Sequence, residues 1–508
     1  MHNKIISLEE IEKILQSHKK KGEKIVQCHG VFDLLHPGHI RHFKEAKKKG
    51  DKLVVSVTPD KFVNKGPGRP AFNEKLRLES IAALSSVDYV VMNTSKEAMN
   101  AIKAIKPDYY VKGKEYEDAK NDITGKIIEE EREVKINGGQ IYFTDDIVFS
   151  SSSLINKYVE PISDEIKLFI QKINKKYSID QIIQKINDLS KLKVLVIGDA
   201  IIDEYQYVEL LGQSGKGQHL VASYEEKEDF LGGSLIIANH ISEFCDNVTL
   251  LTSIGKNCPN KTFIKQKLDK KVDLQAVFHE NHSTLLKKRY ILKDGKTLNK
   301  LFETYSSNKN LLGEFETNQI ISYLQTKGNC FDLILVCDFG NGFTNKKIIN
   351  AISKLNSYLA INTQINSGNR GFNVISHYKK ADFISLNEPE IRLAAHDRHS
   401  NLSEISLKIA NKMNCSNICV TRGVKGIYCF STNGITENIP AFVTNVIDRV
   451  GAGDSFLAIA SLCMAKKYPL ILSAFLGSIA SALNVQIVGN KSCTDKISFV
   501  KFVTRLLK

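Results

Sequence analysis

The sequence predicts an α/β protein with parallel sheets, divided into two domains. Three observations carry this: apolar runs of strand length alternate with helical segments, glycine-rich turns close several of those runs, and a lysine-rich helical stretch interrupts the alternation. At 508 residues the chain exceeds one ordinary domain. Hydrophobic residues make up 42 % and charged residues 25 %, the balance of a packed globular protein rather than a disordered or collagen-like one.

Ser7 and Glu10 form a capping-box pattern opening an amphipathic helix through about Lys20, and Gly22 breaks it before the strand "KIVQCHGVF". "IRHFKEAKKKG" then has helical spacing up to Gly50, "DKLVVSVTPD" reads as a buried strand, and "NEKLRLESIAALSSV" returns to helix before the strand "DYVVMN". Such alternation places ligands beyond the carboxyl ends of the strands. "QIYFTDD" and the polar "SSSSLINKY" close the series, giving a first domain over residues 1–160. Residues 161–190 are helical and lysine-rich and read as a connector. A second domain over 191–508 opens with "KVLVIGDAIID" as a strand and continues with "DLILVCDFG", "YLAINTQ", "ADFISLNEPE" and "NICVTRGVKGIYCF". No internal repeat of about 20–50 residues is present.

No apolar run approaches the ~18 residues of a membrane span, and the start "MHNKIISLEEIEKILQ" lacks the apolar core of a signal peptide, so a cytoplasmic protein is expected. Ten cysteines are scattered without a CxxC pair, which favours reduced core thiols over a zinc site or disulfides. The net charge of +14 is spread along the chain with acids between the lysines. Without an aromatic-interleaved basic motif, phosphorylated small molecules suit this balance better than nucleic acid. The expected partners are therefore small substrates, with neither nucleic acid nor membrane, in a homo-oligomer.

The stretch "HGVFDLLHPGHIRHF" joins a strand end to a helix start. Pro37 suits the first helical turn, and Gly30 and Gly38 permit close backbone approach. Polyphosphate settles at such a helix N-terminus, with His36 and His39 as donors within one turn. That pairing suits a phosphorus centre gaining charge in nucleotidyl transfer. Paired histidines also serve as zinc ligands or as capped core residues, but no third ligand with suitable spacing follows.

This stretch resembles the HxGH motif of the nucleotidylyltransferase superfamily, in the branch of glycerol-phosphate cytidylyltransferase and the adenylyltransferase half of bacterial heptose enzymes. The resemblance covers roughly residues 3–158 and extends to "KGPGRPAFNEKLRLESIAALSSVDYVV", "IKPDYYVKGKEY" and "FSSSSLINK". It implies a Rossmann-like nucleotidylyltransferase domain in which His36 and His39 stabilise the transition state. It further implies that Gly30, Phe32, Lys65, Arg77, Ser151, Ser152 and Ser153 bind the nucleotide. Taken alone, Lys65 and Arg77 read as solvated surface charge. Serines stand where the family usually has threonines.

"VIDRVGAGDSFLAIASLCMA" joins a glycine-rich turn to an apolar helix. Backbone N–H groups of Gly451, Ala452 and Gly453 would face an anion, and Asp454 would take a proton from an attacking hydroxyl. A capping aspartate after a glycine turn is the plainer reading. With "GDAIIDEY", "LGGSLIIANHI", "NEPE" and "TRGVKG" in order, the segment resembles the ribokinase, or PfkB, carbohydrate kinases across about residues 178–508. The resemblance implies a ribokinase-like α/β domain with Asp454 as catalytic base and Gly451–Gly453 as anion hole. It places Thr421, Gly423 and Gly426 at ATP, and Asp199, Asp203, Gly233 and Asn239 at the sugar. Asn387 and Glu390 would act indirectly on Mg²⁺.

Together the halves resemble the bifunctional enzymes of ADP-heptose synthesis, with the domain order reversed. The implied activities are phosphorylation of a sugar or sugar phosphate by ATP and transfer of a nucleotidyl group to a sugar phosphate, making an NDP-sugar for surface polysaccharide. The alternatives are a CTP-dependent transferase for a polyol or non-heptose phosphate, or a kinase-like half without activity. "LLGQSGKGQHLV" replaces a proline-containing sugar-side segment, and in "AINTQINSGNRGFN" the residues Asn362, Asn369 and Arg370 read either as an anion loop or as an ordinary polar turn.

Overall fold

The computed structural model describes residues 4–63, 69–95, 97–113, 127–144, 163–280, 284–294, 297–306, 312–369, 371–443 and 446–508. The chain divides into two compact units, Met1–Asp164 with Val500–Lys508, and Glu165–Phe499.

The first unit runs β1 (Ile5–Ile6), α1 (Leu8–Lys20), β2 (Ile25–Gly30), α2 (Pro37–Lys47), β3 (Lys52–Val57), α3 (Glu74–Ala82), β4 (Tyr89–Met92), α4 (Met99–Ile105), β5 (Tyr109–Gly113), α5 (Ile127–Ile136) and β6 (Gln140–Thr144). Helix α1 starts at the predicted capping box: Ser7 Oγ accepts from Glu10 N–H, and the Glu10 carboxylate accepts from Ser7 N–H. Its Ile11 and Leu15 pack with Ile25, Val54 and Val91 on one face of the sheet, while Phe43 and Ala46 of α2 pack with Val26, Cys28 and Val55 on the other. The sheet is parallel throughout, in the order β1-β4-β3-β2-β5-β6. Strand β2 sits between β3 and β5, where the strand order reverses, so a crevice opens beyond the carboxyl ends of β2 and β5.

In the second unit, α6 (Asp164–Asn174) and α7 (Ile179–Asn187) precede β7 (Lys193–Gly198), β8 (Ala200–Gln213), β9 (Leu220–Gly233), α8 (Ser234–Ser242), β10 (Asn247–Gly255), α9 (Lys261–Lys267) and β11 (Val272–His279). Then come β12 (Leu285–Asp294), β13 (Thr297–Ser306), α10 (Glu314–Lys327), β14 (Leu333–Asp338), α11 (Lys346–Ile352), β15 (Tyr358–Thr363), β16 (Phe383–Asn387), α12 (Glu388–Ala395) and α13 (Leu402–Met413). The series closes with β17 (Asn417–Thr421), β18 (Ile427–Ser431), β19 (Ile435–Ile439), α14 (Ala452–Ala465), α15 (Leu470–Asn484) and α16 (Lys496–Leu507), the last counted with the first unit from Val500 on. Nine strands form one sheet, β11-β10-β7-β14-β15-β16-β17-β18-β19, with only the last two pairings antiparallel. The apolar runs read from the sequence as buried strands, such as β14 with six buried residues, fill its middle.

A second sheet, β13-β12-β8-β9, was not anticipated. "KVLVIGDAIID" is therefore two strands rather than one, separated at Asp199. Gly198, the last residue before the break, packs against β14 so closely that a Cβ there would lie 2.1 Å from the carbonyl oxygen of Cys337. The segment "LLGQSGKGQHLV" forms the exposed far end of the β8–β9 hairpin, closed by Ser214 N–H donating to His219 O at 2.9 Å. All ten cysteines are thiols, buried except for Cys330 and Cys493. Among the described residues no helix is long and apolar enough to cross a membrane.

Gly198→Ala should lower the stability of the second unit by about 2–3 kcal/mol, because backbone rather than a movable side chain meets the new methyl. Urea unfolding followed by fluorescence of the tyrosines measures it.

Candidate active sites

In the first unit, Gly30 ends β2 where a Cβ would lie 3.0 Å from the Phe32 ring. Phe32 is left-handed, at φ 48°, and turns its ring inward, edge-on to His39 at 5.4 Å and to Phe43 at 5.0 Å. It supports His39 from the core. His36 caps α2: its Nδ1 accepts from Gly38 N–H at 3.2 Å, with Pro37 first in the helix. The neutral ring therefore carries its proton on Nε2. Burial holds its proton affinity below the usual histidine range. His39 stacks on His36 with ring centroids 3.9 Å apart, so a second charge on the pair is disfavoured. The predicted pair is thus brought together, with one imidazole serving as both cap and donor.

Two further histidines line the strand ends. His29 Nδ1 lies 2.9 Å from Ser56 Oγ and is pushed down to about 3 by burial, then by Lys112. His42 Nδ1 lies 2.9 Å from Thr144 Oγ1 and is pushed down to about 4 by the same causes. Lys112, at the end of β5, pairs with Glu130 at 2.9 Å. Sequence reasoning missed it, although a lysine before the glycine that ends a strand is a legible signal.

Arg77 is not the solvated surface charge that it reads as in isolation. Its guanidinium is buried and donates to Phe72 O at 3.0 Å, Val31 O at 2.5 Å, Thr58 O at 2.9 Å and Asp60 Oδ1 at 2.6 Å. It clamps the loops after β2 and β3 with four of its five N–H donors. Lys65 and Ser151–Ser153 lie outside the described residues.

In the second unit, α14 begins after Gly451, which is left-handed at φ 81°. A Cβ there would lie 2.2 Å from Asn490 Oδ1 and 2.9 Å from Asn484 Nδ2, so only glycine fits. Ala452 N–H leans on Arg449 O at 3.4 Å, leaving Gly453 and Asp454 to present first-turn N–H groups. Gly453 borders open space. Asp454 is not the helix cap, and its carboxylate accepts no hydrogen bond from the described residues. Burial first, then the neighbouring Asp203, raises it to about 7, against the pull of Lys287.

Asp203 is held by Arg289 Nη1, and Arg289 Nε also reaches Glu303 at 3.1 Å. Gly233, at φ 57°, lies so close to Asp199 that a Cβ would meet its carbonyl oxygen at 2.5 Å. Asp199 accepts from Phe339 N–H at 3.0 Å and Phe343 N–H at 3.3 Å, while burial, then Asp338, raises it to about 7. It anchors the loop after β14. Asn239 donates to Lys267 O and accepts from Asp269 N–H, both at 2.9 Å, tying α8 to the loop after α9.

Asn387 and Glu390 form the capping box of α12, at 2.8 and 2.7 Å, and Glu390 also accepts from Ile365 N–H at 3.2 Å. Burial raises Glu390 to about 7. Thr421 ends β17, Gly423 borders open space, and Gly426 packs so tightly that a Cβ would lie 1.9 Å from Ile439 O. Asn362 donates to Ser385 O at 2.8 Å and Asn369 to Gln364 O at 2.9 Å, the pattern of a self-satisfied polar turn. Arg370 lies outside the described residues. Lys287 and Arg289 were missed; basic residues two apart in the strand "LLKKRYIL" are the signal that they share a face.

Residues 28–158 match the cytidylyltransferase-like family model, and residues 191–497 match the pfkB family carbohydrate kinase model. The bifunctional protein HldE of Gluconobacter oxydans is 36 % identical over 143 residues, 28 % of this chain and 28 % of that protein. Its namesake in Haemophilus influenzae is 40 % identical over 139 residues, 27 % of this chain and 28 % of that protein. The aligned part thus spans little more than a quarter of these relatives. Among solved structures, phosphofructokinase-2 from Escherichia coli is 14 % identical with a TM-score of 0.50, covering 62 % of this chain and 100 % of that one, and shares the fold.

Arg77→Met should destabilise the first unit by on the order of 3 kcal/mol in urea unfolding, since its buried acceptors lose their donor. For Asp454 the raised proton affinity means that the unfolded chain ionises first. Its unfavourable contribution develops as pH rises from 3.8 to about 7 and is constant above. Asp454→Asn should therefore melt higher than wild type at pH 8, with the gap closing towards pH 4 in calorimetric scans.

Proposed function

The chain belongs to the pfkB family of carbohydrate kinases, and from that premise we propose a bifunctional enzyme that phosphorylates a sugar or sugar phosphate with ATP and then couples a sugar phosphate to a nucleotidyl group. The observation that carries the kinase half is Asp454, a carboxylate held near 7 in the first turn of a glycine-capped helix. It accepts the proton of an attacking hydroxyl while the helix start holds phosphate oxygens. Asn387 and Glu390 already satisfy each other, so Mg²⁺ would be held by ATP oxygens and water, with Glu390 at the edge of its shell. When bound, the ion neutralises phosphate charge. Thr421 and Gly423 border the space for ATP, and Asp203 and Gly233 that for the sugar.

In the transferase half, His36 Nε2–H and His39 would donate to the oxygens of the α-phosphorus as a sugar phosphate attacks and pyrophosphate leaves. Lys65 and Ser151–Ser153 are proposed contacts of the triphosphate. Residues 161–190 would join the halves. The resemblance to the ADP-heptose enzymes supports an NDP-sugar product, an ADP-heptose-like precursor of surface polysaccharide made in the cytoplasm.

The test combines ATP, Mg²⁺ and a panel of sugars and sugar phosphates, following ADP and pyrophosphate separately. Asp454→Asn is expected to lower phosphorylation at least about 100-fold while sparing pyrophosphate release from a pre-phosphorylated acceptor, and His39→Ala the reverse. Phosphorylation undiminished in Asp454→Asn would sink the reading. Because the base must be ionised, kcat of the kinase should rise with pH through about 7 and flatten above it.

A further inference from the structure

Lys287 stands on β12 with its side chain on the same face as Arg289, two residues on. It is only 6 % exposed. Among the described residues its ammonium has neither a hydrogen bond nor an ion pair; its neighbours are the rings of Tyr305 at 5.3 Å and Phe339 at 5.8 Å. The adjacent cation differs, since Arg289 is matched by Asp203 and Glu303. Burying an ammonium without a partner is unfavourable, and such a group is retained where a ligand brings the missing anion.

The charged groups around Lys287 are Asp203, Asp454, Glu303 and Arg289. Asp203 and Glu303 are taken by Arg289, and Asp454 is the carboxylate reserved for the proton. We infer that Lys287 is a catalytic residue of the kinase, whose ammonium neutralises the phosphoryl group as it passes from ATP to the acceptor hydroxyl. This rests on the kinase reading above. In that step the acceptor oxygen bonds to the γ-phosphorus, and the bond from that phosphorus to the bridging oxygen breaks. Its electron pair leaves with ADP, and the hydroxyl proton goes to Asp454. Lys287 exchanges no proton and contributes charge alone. Lys287 and Asp454 act on each other's charge, and a cation near the base is suited to the phosphoryl group joining the reacting oxygen rather than to a substituent elsewhere on the acceptor.

Lys287→Met in the full chain, assayed with MgATP and a panel of hexoses, heptoses and their terminal phosphates, should lose about 100-fold or more in kcat. The KM for the acceptor should stay within about threefold, and calorimetric affinity for MgATP should be unchanged. Lys287→Arg should recover most of the rate. The acid limb of the Lys287→Met pH profile should also move to higher pH, since the cation that opposes proton uptake by Asp454 is gone. A folded Lys287→Met protein with near wild-type kcat overturns the inference, as does a raised acceptor KM with kcat intact, which would make Lys287 a ground-state grip. If wild type phosphorylates no member of the panel, the kinase reading itself fails and the inference with it.

Discussion

The reacting centre of the second unit depends on one buried carboxylate, Asp448. It accepts from Tyr205 Oη at 2.6 Å, Lys300 Nζ at 2.8 Å, Gly489 N–H at 2.9 Å and Val450 N–H at 3.2 Å. Those four donors come from β8, from β13, from the loop after α15 and from the glycine turn before α14. Burial alone would raise its proton affinity, but the Lys300 and Tyr205 hydrogen bonds outweigh that and hold it below the ordinary range. Asp448 therefore stays charged, and a charged group this deep is stable only while all its donors are in place. The small sheet is thereby registered against the glycine turn, which sets Asp203, Lys287 and Arg289 opposite Asp454.

The two sites solve the same problem by different means. Each places a helix N-terminus beyond the carboxyl end of a parallel sheet, where unpaired N–H groups can meet phosphate oxygens. In the first unit a side chain supplies the cap, and the capping bond to His36 Nδ1 sets the tautomer that turns Nε2–H outward. In the second unit the cap is Gly451, which has no side chain, and the titratable group sits inside the first turn instead. A histidine that caps is a donor held neutral by burial; an aspartate that does not cap is a carboxylate raised to about 7. The difference fits what the proposed function asks of each site: the first would only donate hydrogen bonds, and the second would take a proton up and give it back.

Much of this was legible in the chain. The alternation of strands and helices, the Ser7 capping box, Pro37 at the head of α2 and the glycine turn before Asp454 are local features, encoded within a few residues of one another, and the structure keeps them all. Local chemistry also distinguishes the strand-end motifs from ordinary turns, because glycine, proline and histidine each impose conformation or charge where they stand.

What the chain could not display were the partners. Arg77 looks like a surface cation in sequence and is a buried clamp, because its four acceptors come from three separate loops. Asn239 and Asp199 likewise tie loops together through partners far away in the chain. The small sheet escaped notice because its four strands pair across long separations, from Ala200 to Ser306, and its basic residues gain meaning only when Asp203 and Asp454 are set beside them. Sequence by itself determined the fold class and the two glycine- and proline-marked helix starts, and it singled out His36, His39 and Asp454 as the candidate reactive side chains. Tertiary structure alone decided which charges are spent on one another and which remain for a ligand, since Coulomb energy and burial depend on distances between segments that the linear order does not contain.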